Sequence, residues 1–375
     1  MGGAEITDEG AIRSDFVIFG ERKGIASFPR WSRPPLFSMN WQKEQAGMGF
    51  AVHGSLFSVG ASVAGGADGT YRTHGTLVTL ESIMRSNREQ GTANGEPTSV
   101  NGELRTANGK PPTRLGQGTW RMGERADRHR SEVKALQLGF DLGMTLVDTA
   151  EMYGEGRAEV LVGEAIAGRR KDIFLVSKVY PHRASRSGVL TACEESLKRL
   201  KTDYLDLYLL HWRGSIPLAE TFEGFLQLKQ QGMIREFGVS NFDVDDMQQL
   251  AGVPGGREVF TDQVLYNLTR RGIEWDLLPW CRDRKMTVMA YSPMEQGRLS
   301  VQMDVIARKV NANRFQLALA WLLHQDGVLV IPKAASEAHV IENRKALDIE
   351  IPEPIFAELD ALFPPPRNKS SLEIL

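Results

Sequence analysis

Residues 104–375 predict an α/β fold, a (β/α)8 TIM barrel, on three grounds. Apolar, β-branched runs alternate with amphipathic helical stretches eight times, over roughly 270 residues, the usual size of such a barrel. Three of the runs end abruptly in an ionisable side chain: Asp148 in MTLVDTAEMYG, Lys178 in IFLVSKVY and His211 in LDLYLLHW. A buried parallel strand reads as a continuous apolar run. A barrel keeps its chemistry at the C-terminal ends of its strands, so these three ends would converge on one mouth. The third ground concerns the competing doubly wound sheet, which wants a Gly-rich phosphate turn directly after a first strand. The early glycines, LGQGTWRMG, lack G-x-G-x-x-G spacing and lead into no immediate helix.

The elements follow in order. Residues 1–103 show no sustained helical or strand period. Gly, Ser, Thr and Asn recur, as in GASVAGGADGTYRTHGT, and apolar patches such as FVIFG form no core-burying pattern. That composition predicts a mostly disordered extension. It is either a tether for a partner or sequence upstream of a later start at Met39, Met48 or Met84. From residue 104 the texture changes. GELRTANGKPPTRLGQGTW sets Asn108–Gly109, a strong turn signal, between two short strand-like runs, which predicts a hairpin ahead of the barrel. Strands are predicted near 115–120, 144–148, 173–179, 205–211, 235–240, 259–265, 286–291 and 328–331. Between them, SEVKALQLGFDLG, RAEVLVGEAIAG, GVLTACEESLKRL and LAETFEGFLQLKQQG read as amphipathic helices.

Composition removes several functions. The 375 residues carry a formal net charge of −2, which argues against an electrostatic nucleic-acid binder. The cluster Arg169, Arg170 and Lys171 closes a helical segment, where cations suit the helix dipole. Two cysteines, Cys193 and Cys281, cannot build a disulfide framework and fit a reducing, cytoplasmic home. No apolar stretch approaches the roughly 18 residues of a membrane helix, and the acidic N-terminus does not read as a signal peptide. The seven histidines show no metal-ligand pairing on one helix, so no metal site is expected. No G-x-S-x-G marks a serine nucleophile.

The runs LGQGTWRMG, DTAEMYG, SKVY, LLHW, GVSNF, QVLYN, YSPMEQG and IPKAASEAHVIENR occur in the order of the aldo-keto reductases, over residues 104–363. The chain resembles the bacterial-type NADP-dependent members. Residues 1–103 match nothing in that family. The resemblance implies a barrel whose base is capped by the hairpin, and a nicotinamide cofactor bound in extended form. It also implies a catalytic set of Asp148, Tyr153, Lys178 and His211. Carbonyl reduction by hydride leaves an alkoxide that needs a proton. A phenol near pKa 10 is a poor acid-base group at neutral pH, a lysine cation beside it lowers that pKa, and a carboxylate fixes the lysine. His211 would orient the carbonyl oxygen. Singly, each residue has a structural reading: a cap, a packed ring, a solvated charge, a satisfied histidine. Their joint order points to chemistry.

By the same resemblance Ser240, Asn241 and Gln263 grip the carboxamide, and Tyr291 stacks on the nicotinamide. Thr119 and Ser292 join the cofactor set. Lys333 meets the adenosine 2′-phosphate, and Glu342 and Asn343 the adenine. Trp120 and Trp212 resemble pocket walls. The chain departs from the pattern where NADP-dependent members often carry Ser after the IPK lysine and Arg a few residues on. Ala334 and His339 stand there. An arginine offers a fixed charged fork, whereas a histidine is mostly neutral at pH 7. Lys333 keeps NADP(H) the favoured cofactor, with NAD(H) possible and discrimination weaker than usual. The loops RGSIPLAE and MEQGRLSVQ and the tail PPPRNKSSLEIL are short, as in members that take small aldehydes, ketones, dicarbonyls or keto-sugars. A monomer acting on a small-molecule carbonyl is expected, with no nucleic-acid or membrane partner. The alternative is a cofactor-sensing binding subunit on the same barrel, which only the long extension favours.

Overall fold

A computed structural model describes residues 70–73, 76–79, 99–100, 103–104, 106–109 and 113–375. The chain divides into two units, 1–80 and 81–375. In the first, β1 (Thr70–Thr73) pairs antiparallel with β2 (Thr76–Thr79). In the second, β3 (Ser99–Val100) pairs antiparallel with β4 (Glu103–Leu104). These strands fall in the segment where the sequence predicts no period. β1 and β2 are mostly Thr with Tyr and Val, residue types favoured in strands, but two to four residues are too few to establish alternation. The rest of the predicted disordered extension lies outside the described residues.

The Asn108–Gly109 turn forms: the Gly109 amide donates to the Thr106 carbonyl at 2.9 Å, with Gly109 at φ +73°, a region open mainly to glycine. Among the described strands, however, β4 pairs with β3 and not across this turn, and residues 110–112 lie outside the described set. The turn packs where a cap of the base would. Asn108 donates through its backbone to the Lys171 carbonyl at 3.3 Å and through its side chain to Asp172 at 2.7 Å. Lys171 and Asp172 feed the N-terminal end of a barrel strand.

Eight parallel strands then follow in chain order: β5 (Gln117–Gly118), β6 (Leu146–Asp148), β7 (Phe174–Val179), β8 (Leu205–Leu210), β9 (Ile234–Ser240), β10 (Thr261–Leu265), β11 (Thr287–Tyr291) and β12 (Val328–Val330). Parallel bridges Leu115–Val330 and Gly118–Lys333 close the sheet on itself. A β-carbon on Gly118 would stand 2.8 Å from the Ile331 carbonyl, so the closing seam requires glycine there. The predicted (β/α)8 barrel is therefore formed, with each strand within a few residues of its predicted place. Helices α1 (His129–Asp141), α2 (Arg157–Ala165), α3 (Arg186–Leu200), α4 (Leu218–Gln230), α5 (Val244–Ala251) and α6 (Leu277–Asp283) separate β5 to β11. Helices α7 (Met303–Arg308) and α8 (Arg314–His324) precede β12, and α9 (Glu337–Lys345) and α10 (Glu353–Leu362) follow it. No described helix is long and apolar enough to cross a membrane.

The barrel interior explains how a site arises. Leu146, Phe174, Val176, Leu207, Leu209, Met289, Leu329 and Ile331 form its buried apolar filling. Side chains alternate along a strand, so the next inward position after each column is Asp148, Lys178, His211 and Tyr291. The filling is apolar at the bottom and turns polar at the top.

One buried acid lies on the other face. Asp262, next to inward-facing Gln263 on β10, is fully buried, and neither oxygen makes a well-formed hydrogen bond among the described residues. Burial pushes its carboxyl well above the usual carboxylate range, with the Phe242 amide opposing and Asp246 and Asp243 adding. A folded pKa above the unfolded one means the unfolded chain loses the proton first as pH rises. Stability is thus lost above about pH 4 on this account. Asp262→Asn is expected to stabilise the protein at pH 7, because the amide has the same shape and carries no charge to desolvate. Urea unfolding at two pH values checks this, since the gain should grow with pH. A loss at both values would sink it.

Candidate active site

Four ionisable side chains meet at the C-terminal mouth. Asp148 ends β6, Lys178 lies near the end of β7, and His211 directly follows β8. Tyr153 opens the irregular turn after β6, a 3-10 segment whose Gly154, Glu155 and Gly156 all have positive φ. That geometry turns the chain back and drops the phenol onto the barrel top. Lys178 Nζ donates to the Asp148 carboxylate and to the Thr149 carbonyl, both at 2.8 Å, and to the Tyr153 hydroxyl at 3.3 Å. Gln263 Nε2 donates to the other Asp148 oxygen at 2.8 Å. The Tyr153 and His211 rings stand edge to face at 5.7 Å. Lys178 is 0% exposed, His211 8% and Tyr153 9%.

Burial dominates the electrostatics. It lowers the Lys178 pKa, against the attraction and hydrogen bond of Asp148 and the more distant Glu159. It raises Tyr153 well above an ordinary phenol, and the Asp148 charge and Tyr291 add to that. This direction is opposite to the one a lysine neighbour alone predicts. The physical reason is that the Lys178 charge is already matched by Asp148, so the phenol feels desolvation more than attraction. Burial, then the Lys178 charge, holds His211 well below an ordinary imidazole. At neutral pH the phenol is protonated and the imidazole neutral, beside the 2.8 Å Lys178–Asp148 salt bridge. Such a group can donate a proton to an oxygen placed between Tyr153 and His211.

The residues expected to hold a cofactor line the ends of β9 to β12. Ser240 and Gln263 are paired across β9 and β10, and Leu265 and Tyr291 across β10 and β11. Ser240 Oγ donates to the Gln263 carbonyl at 2.7 Å. Asn241, in the left-handed region at φ 60°, donates to Ser240 Oγ at 3.0 Å and to the His211 carbonyl at 3.1 Å. The Tyr291 hydroxyl, on a half-buried ring, donates to Asn241 Oδ1 at 2.9 Å. Ser292, also at positive φ, follows Tyr291, and its carbonyl accepts from Asn267 at 2.9 Å. Thr119 is buried, with its hydroxyl on the Asp148 carbonyl at 2.9 Å. Lys333 and His339 are exposed beyond β12, and Asn343 is buried on α9. The Glu342 carboxylate is held by Gln316 at 2.9 Å, Asn313 at 3.1 Å and Lys345 at 2.9 Å, which ties α9 to the N-cap of α8. These strand ends make one continuous polar rim from the mouth outward, which fits an extended dinucleotide. Among the described residues no group of His, Cys, Asp and Glu could hold a metal ion.

Trp120 is 41% exposed and stands edge-on to Tyr153 at 5.0 Å. Trp212 packs 5.0 Å from His211. Sequence reasoning missed two further wall residues, Tyr180 and His182. Tyr180 lies 5.8 Å from Trp212 and 4.8 Å from His182. The signal for Tyr180 was present: it is two residues past Lys178, where the alternation of β7 continued by one residue would face the same side.

Residues 114–363 match the model of the Aldo/keto reductase family. The chain is 50% identical over 260 residues to methylglyoxal reductase YeaE of Escherichia coli (strain K12), covering 68% of this chain and 92% of that protein. It is 34% identical over 225 residues to glyoxal reductase of Bacillus subtilis (strain 168), covering 59% and 79%. The crystal structure of an aldo/keto reductase from Klebsiella pneumoniae in complex with NADP and acetate superposes with a TM-score of 0.70 at 49% identity. It covers 74% of this chain and all of that one, 100%.

Proposed function

The chain belongs to the aldo/keto reductase family, and on that premise we propose that its substrates are small α-dicarbonyls of the methylglyoxal and glyoxal type. It is an NADPH-dependent oxidoreductase that reduces small carbonyls. One observation supports the site assignment above all others: the Tyr153 hydroxyl lies 3.3 Å from a fully buried lysine that is itself fixed by Asp148.

NADPH, when bound along the rim of β9 to β12, supplies the hydride. The chain's own residues do the rest. Neutral His211 hydrogen-bonds the carbonyl oxygen and orients it beside Tyr153. The phenol gives that oxygen its proton as negative charge develops. Lys178, held by Asp148, balances the charge left on the phenol oxygen. Trp120 and Trp212 border the mouth and exclude water from it. In this reading Ser240, Asn241 and Gln263 hold the carboxamide, Tyr291 stacks on the ring, Thr119 and Ser292 frame it, and Asn343 with Glu342 borders the adenine. The enzyme acts as a monomer. The direct test is NADPH oxidation with methylglyoxal, glyoxal and a panel of larger aldehydes. Absence of turnover with every dicarbonyl would overturn the substrate assignment.

Cofactor choice gives a further expected result. Lys333 would meet the 2′-phosphate, and exposed His339 occupies the place of an arginine fork. His339→Arg should tighten NADPH by about tenfold and leave NADH nearly unchanged, the low end for a charged hydrogen bond at an exposed site. Lys333→Ala should bring the two cofactors closer in affinity. Dissociation constants for both cofactors decide the matter. Equal shifts would mean that this end of the site does not read the 2′ position.

A further inference from the structure

Glu151 lies between Asp148 and Tyr153 in DTAEMY, and none of the roles above uses it. Its side chain is buried, and both oxygens are engaged. One accepts the Tyr180 backbone N–H at 2.7 Å, and the other accepts Arg183 Nη1 at 2.6 Å. A second Arg183 nitrogen reaches Glu195 on α3 at 2.8 Å. The Glu151 amide donates back to the Lys178 carbonyl at 3.4 Å. A buried carboxylate persists when its charge is paired and its oxygens are bonded, and this one meets both conditions.

The contacts join two loops. Glu151 sits on the loop that carries Tyr153. Tyr180 and Arg183 belong to the loop after β7. The Tyr180 ring meets Trp212 at 87° and 5.8 Å, packs on His182 at 4.8 Å and lies 6.5 Å from His211. The loop is therefore one wall of the mouth on the His211 side, and the Glu151 side chain ties it to the loop of the phenol at two points.

We infer that Glu151 is a positioning residue, which fixes the Tyr180 wall through Arg183 and the Tyr180 amide and thereby sets selectivity among carbonyl substrates by size. The inference rests on the reductase reading above. Methylglyoxal, seated on Tyr153 and His211, is too small to depend on that wall. A carbonyl compound bearing an aromatic group lies across Tyr180 and Trp212 and does depend on it.

The experiment uses the full chain as wild type, Glu151→Ala, Glu151→Gln, Arg183→Met and the Glu151→Ala/Arg183→Met double variant. Steady-state kcat and KM are measured with NADPH for methylglyoxal and for phenylglyoxal. Phenylglyoxal binding to the NADP+ complex is measured separately by tryptophan fluorescence. In Glu151→Ala the KM for phenylglyoxal should rise about three- to tenfold, the worth of one aromatic contact. Its kcat, the methylglyoxal constants and NADPH affinity should barely move. Glu151→Gln keeps an acceptor for the Tyr180 amide and should fall between. The double variant should be no worse than Glu151→Ala, because both changes cut one tie. If Glu151→Ala does not fold, Glu151→Gln and Arg183→Met must show the same split at smaller size. Equal losses for both substrates, no loss for phenylglyoxal, or additive losses in the double variant would overturn the inference. Wild-type turnover of neither substrate would overturn the reductase reading, while the binding measurement still decides this one.

Discussion

Tyr153→Phe is expected to slow methylglyoxal reduction by on the order of 10²–10⁴, the usual worth of a general acid, with NADPH affinity unchanged. The substitution deletes one oxygen and keeps the ring. The edge contacts with Trp120 at 5.0 Å and His211 at 5.7 Å therefore survive. What disappears is the hydroxyl that faces Lys178 Nζ at 3.3 Å. Lys178 keeps its Asp148 and Thr149 partners at 2.8 Å, so the ion pair should not loosen. The loss should appear in kcat and in kcat/KM alike, as for an interaction made only in the transition state. Because burial holds the phenol protonated, the ratio of wild-type to variant rates should stay flat over about pH 6–8. Near-wild-type turnover would assign the proton to another group. A loss confined to KM would make Tyr153 a binding residue.

The sequence was legible where a residue broke a pattern that packing otherwise dictates. Asp148, Lys178 and His211 each end a run that alternation fills with Leu, Val and Phe, and a polar group at such an end must be paired or functional. Tyr153 was not legible in this way. It sits on a turn with three consecutive positive φ values, Gly154, Glu155 and Gly156, and its place was legible only through the resemblance carried by DTAEMYG. The direction of its pKa was misjudged for a related reason. The lysine was visible in the sequence, but the depth of burial and the sharing of its charge with Asp148 were not. Glu151 and Arg183 escaped because an ion pair between loops is set by how two loops approach, which no local spacing records. Glu342 shows the converse. Its place in IENR suggests an adenine contact, and folding also commits its carboxylate to Gln316, Asn313 and Lys345. The hairpin ahead of the barrel was legible only at its turn, since Thr106 to Gly109 form it while β4 pairs with β3.

Lys178→Met separates the structural from the chemical share of the buried pair. Lys178 is 0% exposed, and the Asp148 carboxylate 2.8 Å away is 3% exposed. Removing the lysine leaves Asp148 with the Gln263 amide as its charge-free partner. Stranding one member of a buried pair costs about 3–5 kcal/mol, so urea unfolding should show a large loss at neutral pH. The rate should fall as well, by on the order of 10² or more, because the phenol loses the cation that balances its developing charge. The informative variant is the double, Asp148→Asn with Lys178→Met. It removes both charges, keeps an oxygen for Gln263 Nε2, and fills the lysine's volume with an unbranched apolar chain. Stability should return to within about 1 kcal/mol of wild type, since a buried pair and an apolar replacement are often close in energy. Activity should stay as low as in Lys178→Met. A double variant as unstable as the single one would show that the pair is not where the stability resides. A double variant that regained turnover would place the lysine outside the proton path and leave Tyr153 to act through burial alone.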